Sequence, residues 1–87
     1  MTRVMGKTET EYSSERLHQS IARVAASNRT PLGTAEHFAR EVVKKIENWI
    51  GNKSEITAAE LRLQTAAVLA DYDPETAYLY ENEDKLF

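Results

Sequence analysis

The sequence predicts a mainly α domain, four helices preceded by a short N-terminal β-hairpin, as a single unit over residues 1–87. Three observations lead there. Apolar residues recur at helical spacing in successive stretches, and capping or stop residues bound those stretches. The one run that favours extended backbone lies ahead of them all, around Gly6.

Taken in order, Val4, Thr8, Thr10 and Tyr12 favour extended structure around Gly6, which fits a short β-hairpin or an ordered arm. Ser13 is placed to cap that helix, since a serine hydroxyl accepts from the free amides of the first turn, and Leu17, Ile21, Val24 and Ala25 share one face up to Ser27-Asn28. "NRTPLG", Asn28 to Gly33, reads as a turn in which Pro31 sets φ and Gly33 takes a positive value, with Thr34 capping the next helix. Ala35, Phe38, Ala39, Val42, Val43, Ile46, Trp49 and Ile50 then hold helical spacing until Gly51 stops it, while Glu41, Lys44, Lys45 and Asn48 face water.

Thr57 with Glu60 forms a capping box that opens a third helix. Ala58, Leu61, Thr65, Val68, Leu69 and Tyr72 line one of its sides. Leu63, Ala66, Ala67 and Ala70 make the other side small and apolar, which predicts a central helix that neighbours approach closely. Asp73-Pro74 is an N-cap and first-turn pair for a short last helix through "ETAYLYENE". The core is predicted to join Leu17, Ile21, Phe38, Val42, Ile46, Trp49, Leu61, Leu69 and Ala77, and the tyrosines at 72, 78 and 80 are too many for the last helix to bury.

The totals narrow the function. No apolar run approaches the roughly 20 residues that span a bilayer. The start "MTRVMGKTETEY" lacks the apolar stretch of a secretory signal, and cysteine is absent, so a cytoplasmic protein without disulfides or a thiolate zinc site is expected. A net charge of −3 weighs against nucleic acid as a partner. His18 and His37 lack an i, i+4 ligand partner, no serine stands in a nucleophile elbow, and Gly6, Gly33 and Gly51 are too scattered for a phosphate loop, so no catalytic residue and no metal site is expected.

The most informative stretch is "YSSERLHQSI", Tyr12 to Ile21. A helix N-terminus presents unpaired amides and a partial positive charge, so Ser13, Ser14, Arg16 and His18 in and after the first turn suit an anionic group, and Arg3 and Lys7 join them if the hairpin folds back. The same residues also make a plain capped helix start with Arg16 in water.

The order of these elements resembles the ATP-cone, the nucleotide-binding regulatory domain at the start of ribonucleotide reductase large subunits. Tyr12, Arg16, Leu17 and His18 stand where that family has an apolar or aromatic residue, then a basic-aliphatic pair, then His; "RLHQSIARVAAS" fits its first helix. "EITAAELRLQTAAVLADYDPETAYLY" is similar to its C-terminal half, with Ile56, Thr57, Leu61, Thr65, Ala66, Ala67, Leu69, Pro74 and Ala77 at matching places. The family's phosphate-gripping Val-x-Lys-Arg-Asp-Gly is reduced here to "TRVMGK". Arg3 stands in the first basic position and Val4 in the second, and Tyr72 after Asp71 stands where class I members carry a lysine.

The resemblance implies a four-helix ATP-cone-like fold, in which Arg3 to Tyr12 form a two-stranded hairpin packed over the first helix with Tyr12 turned toward the core, and a non-catalytic regulatory domain that binds ATP or dATP through Arg3, Lys7, Ser13, Arg16, Leu17 and His18, with no metal beyond Mg2+ accompanying the nucleotide. It also implies a protein partner in trans, of the ribonucleotide reductase type. Two alternatives stay open: a degenerate cone kept as a protein-interaction module after loss of the ligand, and a small helical domain that only converges on this shape.

Overall fold

The computed structural model describes residues 2–6 and 9–82. Four helices, α1 (Ser14–Ser27), α2 (Leu32–Ile50), α3 (Ala58–Leu69) and α4 (Pro74–Glu81), form the body. Beside them lies a three-stranded sheet of β1 (Arg3–Met5), β2 (Thr10–Glu11) and β3 (Glu55–Thr57), in the order β2-β1-β3. β1 pairs antiparallel with β2, Val4 opposite Thr10, and parallel with β3, Val4 opposite Ile56. The third strand corrects the two-stranded hairpin expected from sequence. Three residues that lead into a helix cap carry no strand signal of their own; β3 exists because β1, some fifty positions earlier, offers its free edge. The pairing continues beyond the strands, with Arg3 N donating to Ser54 O at 3.0 Å and the Thr2 hydroxyl to Lys53 O at 2.7 Å.

Val4 and Ile56 point inward from adjacent strands and are both buried. β1 therefore packs mainly on β3 and α3 rather than on α1, as the sequence reading had it. Tyr12 is half-buried against the core, as expected.

Most helix boundaries follow the chemistry of their ends. The Ser13 side chain accepts from Arg16 N at 3.3 Å, and the Thr57–Glu60 box closes in both directions at 3.0 Å. Asp73 caps α4 through Glu75 N at 3.2 Å, with Pro74 in the first turn, and Gly51 ends α2 at φ 50°. The α1–α2 turn differs from expectation. The left-handed residue is Arg29 at φ 61°, not Gly33, which lies inside α2; Thr30 N reaches Ala25 O and Arg29 N reaches Ala26 O, both at 3.0 Å. That pair of bonds is a Schellman cap made without glycine. Thr34 caps nothing, because Pro31 is already extended at φ −55°, ψ 143° and α2 starts directly after it.

One continuous core joins Leu17, Ile21, Phe38, Val42, Ile46, Leu61, Leu69 and Ala77 with Val4, Ile56 and Tyr80. Trp49 is only half-buried, its ring lying 5.6 Å from Lys53 Nζ. Tyr78 and Tyr80 divide as two neighbours on a short helix must: Tyr80 is fully enclosed and Tyr78 is 66% exposed. The expectation of a central α3 closely approached by neighbours holds on one side only. Ala66 is buried, but Leu63, Ala67 and Ala70 face outward, because no fifth element lies over that side among the described residues. Among the described residues no helix is long and apolar enough to cross a membrane.

Candidate functional site

The sheet and the start of α1 form two adjoining concavities. An open cavity of about 690 Å3 is lined by Thr10, Glu11, Tyr12, Ser13, Ser14, Glu15 and Arg16. A second, of about 630 Å3, is lined by Arg3, Glu9, Thr10 and Glu11. They share Thr10 and Glu11, so β2 is their common wall. Their volumes lie within the range of small-molecule sites, roughly 300–1,000 Å3.

Local chemistry explains each wall. Ser13 stops the extended chain and starts α1, and its hydroxyl occupies the amide of Arg16. The amides of Ser14 and Glu15 precede the first intrahelical bond, Leu17 N to Ser13 O at 3.1 Å, and so open toward the cavity end of the helix. Tyr12 is held by two bonds: its amide donates to Thr2 O at 2.8 Å, and its hydroxyl donates to Glu47 Oε2 of α2 at 3.2 Å. Burial first, and the Glu47 carboxylate second, push the Tyr12 phenol well above its ordinary value, so it stays a neutral donor at any physiological pH. The exit of the hairpin is thereby tied to the far half of α2.

The charges lining the two cavities are mixed. The Arg3 guanidinium lies 3.2 Å from Glu9, both side chains largely in solvent, so the pair is worth at most about 1 kcal/mol. Arg16 makes no ion pair among the described residues, and Glu11 and Glu15 stand on the same walls. Arg16 is the guanidinium most readily available to an incoming anion, and Arg3 can be drawn from Glu9 at small cost.

The structure thus places Arg3, Ser13 and Arg16 around one pair of adjoining cavities. Two of the other residues named from sequence lie elsewhere. Leu17 is fully buried in the core, and the His18 ring is turned to α2, its Nε2 at 2.8 Å from Glu36 Oε2. Lys7 lies outside the described residues. The acidic wall of Glu9, Glu11 and Glu15 and the Tyr12–Glu47 link were not foreseen. A carboxylate gives no sign in sequence of which loop it will face. No group of three or more His, Cys, Asp or Glu side chains among the described residues is arranged to hold a metal ion.

No protein-family model matches this chain, and no curated protein and no solved structure matches it.

Proposed function

We propose that the chain is a small, non-catalytic ATP-cone-like regulatory domain that binds an adenine nucleotide, ATP or dATP, at the junction of β2 and α1 and acts on a partner protein in trans. The observation that carries the reading is the convergence of Arg3, Ser13, the open amides of Ser14 and Glu15, and Arg16 on adjoining cavities of nucleotide size. In this reading the phosphates lie at the α1 N-terminus with Arg16, and Arg3 exchanges Glu9 for a phosphate oxygen. That exchange is favourable, because a charge-assisted phosphate contact returns about 1.5–3 kcal/mol against the weaker exposed pair it replaces. The half-buried Tyr12 ring, held by Glu47, faces the base in this reading, since Leu17 is enclosed in the core. The carboxylates of Glu11 and Glu15 repel a bare triphosphate, which favours its Mg2+ complex.

One observation favours the second reading, a cone that has lost its ligand and kept its partner. At the place where the family supplies a lysine, the Tyr72 ring packs 6.4 Å from Phe38 and is covered by Lys45 Nζ at 4.9 Å, which makes that position structural. Titration of the 15N-labelled chain with Mg-ATP and Mg-dATP separates the two readings. Nucleotide binding shifts the amides of Arg3 and of Ser13 to Arg16, and amides that do not move at several millimolar nucleotide decide for the interaction module.

A further inference from the structure

The outward side of α3 and the adjoining side of α4 form a groove that no element covers among the described residues. Leu63, Ala66, Ala67 and Ala70 line it from α3; Pro74, Ala77, Tyr78 and Glu81 line it from α4, and the volume is about 270 Å3. Both sets follow helical spacing, so the groove runs between two helix axes. Ala66 and Ala77, 6% and 5% exposed, make a floor shallow enough for another backbone to approach closely, while Leu63 and Tyr78, 52% and 66% exposed, stand up as walls. Large apolar side chains left in water beside a floor of alanines are an unmade contact rather than a finished surface.

The one charged side chain that lines this apolar strip among the described residues is acidic. Glu81 lines it, Glu75 lies one turn from Tyr78 on α4, and Asp71 stands in the α3–α4 link; all three are exposed, and none belongs to an ion pair among the described residues. Among the described residues no lysine or arginine lines the groove. We infer that the α3–α4 groove is a docking surface for an amphipathic helix of a partner protein, one whose narrow apolar face is flanked by lysine or arginine. A helix is the element that fits a groove between two helices, and basic flanks meet the unpaired carboxylates. A second copy of this chain fits poorly, since a two-fold contact would set the same carboxylates against each other. The inference does not depend on nucleotide binding, because the groove shares no residue with the cavities at Tyr12.

The test uses two synthetic helical peptides with the same leucine face, one flanked by lysine and one by glutamate, each titrated into the 15N-labelled full chain. The lysine peptide is expected to shift the amides of Leu63, Ala67, Ala70 and Tyr78, and the glutamate peptide to bind at least tenfold more weakly. Ala67→Arg puts bulk and like charge on the groove at an exposed helical position that arginine tolerates, and should weaken the lysine peptide at least tenfold with an unchanged melting temperature. Glu75→Gln and Glu81→Gln leave the floor intact and should each lower the affinity roughly two- to fivefold, an effect that fades at high salt. Equal binding of both peptides, shifts confined to other acidic surfaces, parent-like binding by Ala67→Arg, or self-association of the chain through Leu63 and Tyr78 would each overturn the proposal.

Discussion

Replacing Tyr80 by phenylalanine tests the core with one oxygen atom. The Tyr80 ring is fully enclosed, and its hydroxyl lies 3.0 Å from Ser20 Oγ, whose own proton goes to Leu17 O at 2.8 Å; the phenol is therefore the donor in the Tyr80–Ser20 bond. Removing it deletes one buried hydrogen bond and leaves the ring packing intact, at a cost of about 1–1.5 kcal/mol near neutral pH. An 87-residue domain has roughly 4–13 kcal/mol in total, so this is a melting shift of several degrees.

The same burial makes a second, opposite effect at high pH. Desolvation pushes the Tyr80 phenol from 10.0 up to about 12, against the lowering pull of Ser20, Thr65 and the nearby Arg23 and Arg62. A raised value in the folded state means that this contribution to stability is complete below pH 10 and is lost as pH rises toward 12, on the order of 2–3 kcal/mol over that window. Tyr80→Phe has no such proton to lose. Urea unfolding followed by circular dichroism should show the parent more stable below pH 10 and the variant more stable above about pH 11. If the two curves stay parallel across the window, the phenol is not buried and the seating of α4 is wrong.

Phe38→Ala should cost about 2–5 kcal/mol in chemical denaturation, because Phe38 is buried on the inward face of α2 beside the Tyr72 ring; a parent-like midpoint would place the α2 face elsewhere. Arg29→Gly should raise the melting temperature, relieving a left-handed φ that costs an L-residue roughly 1–2 kcal/mol and returning part of that gain through the freedom of glycine in the unfolded chain. The Glu60 carboxylate is held below its ordinary 4.5, first by the Thr57 backbone amide, so its contribution is complete above that value and fades below it. The difference in urea midpoint between the parent and Glu60→Ala should therefore narrow as pH falls from about 5 to about 3.

What could be read in the sequence was what is decided locally. The Ser13, Thr57 and Asp73 caps, the Gly51 stop and the face of α2 all follow from residues within a turn of one another, and the structure has them there. The misses are non-local or depend on competition. β3 needs the edge of β1, the bare side of α3 reflects the lack of a neighbour, and Arg29 is left-handed because two carbonyls at the end of α1 require capping whatever residue follows. At the candidate site, Ser13 and Arg16 were legible as a helix start. The turning of His18 to Glu36 and the burial of Leu17 were not, since both depend on how α1 rolls against α2.

The measurement closest to the central claim is the affinity of Mg-ATP for the parent, for Arg16→Ala and for Lys44→Ala, taken by calorimetry or from the titration shifts. Arg16 lines the cavity at the start of α1, whereas Lys44 sits on the solvated side of α2 beside Glu41. On the proposed ATP-cone reading, in which Val4 and Tyr72 stand where that family carries cations, the parent should bind weakly, in the high micromolar to millimolar range on the order set by two missing charge-assisted contacts. Arg16→Ala should lose a further tenfold to hundredfold, roughly the 1.5–3 kcal/mol of one phosphate contact, and Lys44→Ala should match the parent. Equal affinities for Arg16→Ala and the parent, or no binding at several millimolar nucleotide, would contradict a nucleotide site at the start of α1.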